Sequence, residues 1–179
     1  MTPTVLEAQH RQYGAISEID EATEPDPLGP DERDFIDSRD SFYMATVTET
    51  GWPYLQHRGG PAGFLRVIDD RTIAFADLAG NRQLLSTGNL LANDRVALFL
   101  MDYPGKRRLK IIGRATVEAP TNDAPVAPGG AVERRFRIRV VGHDWNCPRH
   151  ITPRYTEAEV EEYVASLKKR IAELEADRR

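Results

Sequence analysis

The sequence predicts a mostly β protein folded as an antiparallel barrel, and three observations carry that prediction. Seven short runs rich in β-branched and aromatic residues follow one another between Ser41 and Gly142. Several are separated by turn chemistry, "TETG", "GGP", "DDR" and "YPGK". Short strands on short links leave exposed edges unless the sheet closes on itself, which favours a barrel.

The elements follow in order. Residues 1–30 are polar, acidic and proline-punctuated, and read as an arm with at most a short helix. Pro30 stands where a helix takes its first residue. Asp31 and Glu32 suit its first turn, and Phe35 and Ile36 give it an apolar anchor. From Ser41 the period changes to that of strands: "SFYMATV", "WPYLQHR", "GFLRVID" and "TIAFADL". In "NRQLLSTGNLLAND" the leucines recur at helical spacing, so a helix is expected there, beginning near Asn81 with Arg82 in its first turn and weakened by Gly88. "RVALFLMD", "RRLKIIGRATVEA" and "VERRFRIRVVG" complete the strands. Thr156 and Glu159 form a capping-box pattern at the start of a C-terminal helix, whose apolar stripe runs from Val160 through Tyr163, Val164, Leu167 and Ile171 to Leu174. The expected division is an arm over 1–30, a barrel domain over 31–145, and a loop with an amphipathic helix over 146–179.

Composition narrows the function classes. The chain has 179 residues, 40% hydrophobic and 29% charged, which suits one globular domain with a real core. A net charge of −4 gives no global basic footprint for nucleic acid. No window approaches the roughly 18 to 20 apolar residues of a membrane helix, and no secretory signal pattern opens the chain. Cys147 is the single cysteine, so no intramolecular disulfide is expected, and the cytoplasm is the expected location.

Four polar groups stand out against the barrel. Gln56, His57, Arg58 and Gly59 end the second strand; alternation points His57 to one face and Gln56 and Arg58 to the other. Arg58 can fork onto a phosphate or a carbonyl-rich ring edge, and the glycines that follow admit a ligand to bare backbone. The same pattern fits an exposed strand end with a solvated arginine. In "ADLAGNRQ" a strand ends at Ala76–Asp77, and Asn81 and Arg82 at a helix start make an anion site or a plain cap with a surface charge. In "KRRLKIIG", Arg108 and Lys110 share one strand face and serve either a ligand or the protection of an edge. In "VGHDWNCPRHITPR", His143, Cys147 and His150 lack the second cysteine and later pair of a structural zinc site, so no metal is expected. Trp145 on a proline-stiffened loop there suits a flat aromatic ligand or a subunit interface.

The stretch from "SFYMATV" through "QHRGGP", "DLAGNRQ", "NDRVALFL" and "KIIGRATV", about Phe35 to Val117, resembles the pyridoxamine 5′-phosphate oxidase-related FMN-binding split-barrel family. With its "DWNCPRH" segment the chain is similar to the branch of predicted flavin-nucleotide-binding proteins. The resemblance implies a six-stranded antiparallel split barrel of Greek-key type, a homodimer, and FMN at the subunit interface. It implies that Arg58, Asn81 and Arg82 hold the FMN phosphate, that Arg108 and Lys110 add polar contacts, that strand backbone at Ala76–Asp77 lies along the flavin, and that Trp145 of the partner borders the ring. "GGPAG" replaces the apolar run and lysine that follow the arginine in true pyridoxamine phosphate oxidases, and "CPRHITPR" lacks their arginine-x-histidine spacing. The expectation is therefore an FMN-dependent oxidoreductase acting on another small molecule. The alternatives are a non-catalytic flavin or haem carrier or sensor, and a deazaflavin-dependent reductase on the same barrel. No residue presents itself as an acid–base catalyst, His57 being the nearest.

Overall fold

Inward and outward residues alternate along every strand but the one over Thr72–Leu78, which is buried on both faces, in the computed structural model of the chain, which describes residues 2–14, 25–61, 63–80, 83–120, 132–145 and 148–176. The elements are α1 (Pro3–Tyr13), α2 (Pro30–Asp37), β1 (Ser41–Val47), β2 (Pro53–Gly59), β3 (Leu65–Asp69), β4 (Thr72–Leu78), α3 (Leu85–Ala92), β5 (Arg95–Asp102), β6 (Arg107–Glu118), β7 (Val132–Trp145) and α4 (Glu157–Ala176). Every strand-like run of the sequence is a strand, so the sheet has seven where the family barrel implies six. They form one antiparallel sheet in the order β2-β1-β5-β6-β7-β4-β3. Hairpins join β1 to β2, β3 to β4, β5 to β6 and β6 to β7, and longer crossings set β5 beside β1 and β4 beside β7.

The two ends of this sheet curl toward each other without pairing. Phe42 on β1 lies 5.1 Å from the Phe75 ring on β4 and 5.7 Å from Phe64, although β1 and β4 stand near opposite ends of the strand order. Phe75 in turn stacks on Phe136 of β7 at 4.7 Å. Met44, Leu65, Ile73, Leu98, Leu100, Leu109, Ile111, Ile138 and Val140 fill the remaining interior. A rolled sheet of this kind buries one face of each strand, which is why period-2 alternation is legible along all of them but β4, where both faces are covered.

Helix α2 closes the barrel at β3. Its start is set by Glu32, whose carboxylate accepts the Gly29 N–H at 2.9 Å, and by Pro30 in the first turn. Phe35 and Ile36 are buried, as their apolar pairing predicts. Arg33 donates to the Val67 carbonyl (3.2 Å) and Asp37 accepts the Val67 N–H (3.0 Å), tying the helix to the edge strand.

One correction concerns the end of β7. The sequence reading places Trp145 on a loop, but β7 continues through it, with Ile111 facing His143, Lys110 facing Asp144 and Leu109 facing Trp145. A bulge between Ile112 and Gly113 makes this possible by resetting the register. Gly113 permits it: a Cβ there would stand 2.6 Å from the Arg139 carbonyl oxygen and 2.8 Å from Ile138 Cγ2.

The outer face of the sheet has two characters. Around β1, β2 and β6 it is apolar, with Tyr43, Leu55 and Ile112 exposed. Around β5 to β7 it is basic, where Arg95, Arg114 and Arg139 stand in one cross-strand row. Helices α1 and α4 bury no residue. No described helix is long and apolar enough to cross a membrane.

Candidate functional site

A cleft of ≈ 160 Å³ opens inside the barrel mouth between the end of β2, the end of β4 and the start of α3. Alternation on β2 turns Tyr54, Gln56 and Arg58 inward and leaves Leu55 and His57 outward. Gln56, Arg58, Gly59, Ala76 and Asp77 all line this cleft, and His57 stands at its rim with its ring 5.5 Å from Tyr43. Sequence reasoning thus names residues from two distant strands that the fold brings together.

Their chemistry differs from the expectation in one respect. Arg58 is not free to meet a ligand with its whole guanidinium, because Nη1 donates to Asp77 Oδ1 at 2.5 Å, with side chains only 12% and 11% exposed. The other Asp77 oxygen accepts from Arg134 Nε at 3.0 Å, and Arg134 Nη2 reaches Glu133 at 2.6 Å. Two arginines and two carboxylates sum to zero formal charge. Asp77 therefore contributes a side chain as well as backbone.

Arg58 lies over the Phe136 and Phe75 rings, its central carbon 5.1 and 5.7 Å from their centroids. Burial lowers its pKa from the usual arginine value, with the Asp77 carboxylate working against that shift. Arg58 Nε is buried and has no hydrogen-bond partner. An unpaired buried donor costs about 1–3 kcal/mol, so an acceptor brought into this cleft gains what the empty partner position forfeits.

Two further features face the same space. The β3 ladder ends where Leu65 meets Phe75, so among the described residues no strand covers that edge of β4 at Ala76 and Asp77. Helix α3 starts at Leu85 rather than Asn81. Leu84 turns the chain in the left-handed region (φ 54°), and no side chain caps the first turn. Leu85, Ser86 and Thr87 line the cleft, so the first-turn N–H groups and the positive end of the helix dipole lie beside it. Ser86 Oγ donates to Gln56 Oε1 at 2.9 Å, and Asn89 Nδ2 donates to Thr46 Oγ1 at 2.9 Å, which pins α3 to β2 and β1. Asn81 and Arg82 lie outside the described residues, as does Cys147.

Arg108, Lys110 and Trp145 do not join this cleft within the chain. Leu109 and Ile111 take the inward positions of β6, so strand alternation turns Arg108 and Lys110 to the outer face. Lys110 pairs with Asp144 at 2.9 Å across the β6–β7 ladder, and Arg108 Nε is buried and unpartnered. Trp145 packs edge-on to Phe35 at 4.8 Å, lies under Arg107, and donates its indole N–H to Glu32 Oε1 at 2.5 Å. Its aromatic surface completes the α2 contact of its own chain.

Glu32 carries a testable consequence of that contact. Burial raises its pKa, but hydrogen bonds from Trp145 and from backbone N–H groups outweigh it and hold the carboxyl below the usual range. A depressed carboxyl stabilises the fold fully above its unfolded pKa, near 4.3, and loses that contribution as pH falls through the lower folded value. In a Trp52→Phe background, acidification is expected to change Trp145 fluorescence in that window. Glu32→Gln is expected to remove the transition; an identical acid profile in that variant contradicts the assignment.

Arg134, Phe75, Phe136 and Ser86 are site residues that the sequence reading missed. For Arg134 a signal existed: it shares strand parity with Phe136, Ile138 and Val140, and an arginine on the inward parity of a strand needs a buried partner.

Comparison with known proteins agrees with the architecture. The family model described as pyridoxamine 5′-phosphate oxidase matches residues 28–137. No curated protein matches the chain. Among solved structures, HupZ from Group A Streptococcus superposes with a TM-score of 0.53 at 15% identity, covering 72% of this chain and 99% of that one. LDB0262 of Lactobacillus delbrueckii, provisionally named a pyridoxamine 5′-phosphate oxidase, gives 0.50 at 15% identity, covering 68% and 97%. HutZ, the haem storage protein of Vibrio cholerae, gives 0.44 at 15% identity, covering 64% and 90%.

Proposed function

The chain belongs to the pyridoxamine 5′-phosphate oxidase family, and from that membership and the cleft at Arg58 we propose that it is an FMN-binding flavoprotein acting as a cytoplasmic oxidoreductase on a small molecule. The observation that carries the reading is the buried, unpartnered Arg58 Nε beside the uncapped start of α3. Donors so arranged suit a phosphate oxygen. The described cluster is neutral overall, so full positive charge is assigned to Arg82, which precedes α3 in sequence, together with Asn81. The uncovered β4 edge at Ala76–Asp77 offers backbone groups to a flat polar ring.

FMN, when bound, supplies hydride and electron transfer at its ring. The chain's own residues bind and orient: Arg58 and the first turn of α3 hold one end, Gln56 is fixed by Ser86, and Phe75 and Phe136 keep water from the guanidinium. His57 stands at the rim of the cleft, its ring 5.5 Å from Tyr43. A cleft of ≈ 160 Å³ is small against the roughly 300–1,000 Å³ of ligand sites, so the rest of the ligand needs a second surface. A homodimer through the apolar outer face at Tyr43, Leu55 and Ile112 provides one, and brings Arg108 and Lys110 of a second copy within the proposal. Trp145, committed to Glu32 and Phe35, is left out of it.

Two measurements test this reading. The purified protein is expected to show the absorption bands of oxidised flavin, or to acquire them with FMN. Arg58→Ala is expected to weaken FMN binding by roughly ten- to a hundredfold, the value of a charge-assisted bond of about 1.5 to 3 kcal/mol. Haem or deazaflavin bands instead would hand the cleft to those cofactors. Unchanged FMN affinity in Arg58→Ala would remove Arg58 from the site.

A further inference from the structure

Helix α4 presents an apolar face that its own chain leaves uncovered. Val160, Val164, Leu167, Ile171 and Leu174 are 48%, 38%, 46%, 55% and 48% exposed, and the helix buries nothing. Its start is nonetheless firmly built. Thr156 N donates to Glu159 Oε2 at 2.7 Å, Glu159 N donates to Thr156 Oγ1 at 3.3 Å, and Arg154 sits 5.0 Å over Tyr103. The helix therefore leaves the barrel beside the turn between β5 and β6.

The spacing of these residues says what covers them. They recur alternately four and three residues apart, the a and d positions of a heptad seam, with Tyr163 beside it at g. Val164 and Ile171 take the a positions; Val160, Leu167 and Leu174 take the d positions. β-branched residues at a with leucine at d favour two parallel strands. The flanking charges are compatible with that direction. In a parallel pair each g residue meets the e residue of the next heptad, which sets Arg170 against Glu175 and Tyr163 against Lys168. In an antiparallel pair that faces Val164 with Leu174 and Leu167 with Ile171, Arg170 meets Arg170, Lys168 meets Lys168 and Glu161 meets Glu175. Those contacts are between like charges, whereas the antiparallel register that faces Val160 with Ile171 and Val164 with Leu167 sets Glu161 against Lys168, so the direction rests on the residues at a and d.

We propose that α4 of one protomer pairs in parallel, in register, with α4 of a second copy of this chain. The helix has 20 residues and fewer heptads than an independent coiled coil needs. The seam thus adds to self-association through the barrel, and the inference rests on the proposed function only in that both require a second copy.

Cysteine cross-linking of the full chain tests it, in a Cys147→Ser background. Seam residues face their own copies along the whole helix only in a parallel pair, so Val160→Cys, Leu167→Cys and Leu174→Cys are each expected to give an interchain disulfide under mild oxidation. Glu162→Cys, on the opposite helix face, is expected to give little. A product from mixed Val164→Cys and Leu174→Cys, or from mixed Val160→Cys and Ile171→Cys, with none from any of these alone, overturns the parallel arrangement. No seam-specific product in a protein that sediments as a dimer overturns the pairing of α4 while leaving a barrel dimer standing. No product in a monomeric protein overturns both.

Discussion

Phe136→Ala is expected to lower stability by about 3–5 kcal/mol, the cost of removing a buried aromatic ring from a core that collapses only in part. Phe136 has 0% exposure, stacks on Phe75 at 4.7 Å with 10° between planes, and lies beneath Arg58. Its loss leaves a cavity where the curled ends of the sheet meet and removes the apolar floor that keeps Arg58 desolvated. Chemical denaturation should show a large fall in the midpoint at nearly constant slope. Phe136→Leu retains more of the volume and should lose less. Equal, small losses in both variants would mean that the Phe42–Phe75–Phe136 cluster does not hold the barrel closed.

Asp77→Asn is expected to act in opposite directions on stability and on ligand affinity. The Asp77 carboxylate bridges Arg58 and Arg134, and breaking a buried pair costs about 3–5 kcal/mol when the other charge stays behind. The asparagine can still accept one hydrogen bond, so the lower end of that range is expected. The same change releases Arg58 for an anion. If an FMN phosphate oxygen competes with Asp77 for that guanidinium, affinity rises by roughly tenfold or more, one charge-assisted bond. FMN titration of Asp77→Asn beside Arg58→Ala should give a gain in one and a loss in the other. Stability loss with FMN affinity unchanged would make the Arg58–Asp77–Arg134 cluster purely structural.

The sequence by itself determined everything that depends on neighbours along the chain. Six of the seven strands follow from alternation, because one face of each is buried in the rolled sheet, and β4, buried on both faces, follows from its β-branched and aromatic run and the turn residues before it. The start of α2 follows from Pro30 and Glu32 acting within one turn, and the start of α4 from Thr156 and Glu159. The split of β2 into an outward His57 and inward Gln56 and Arg58 needs only period two. Tertiary structure alone decided which of those side chains meet. Arg58 and Asp77 stand on strands at opposite ends of the sheet order, and only its curl makes them an ion pair, with Arg134 arriving from a third strand. Trp145 reads as a loop residue because the bulge at Gly113 that extends β7 depends on a close approach to Arg139 that no local pattern encodes. The first turn of α3 stands at Leu85, behind a left-handed residue at Leu84 that propensity disfavours, and long-range bonds from Ser86 to Gln56 and from Asn89 to Thr46 fix the helix on β2 and β1. Local chemistry is written in the order of residues. Charge neutralisation, burial and access are sums over residues far apart in that order, and they exist only once the sheet has rolled.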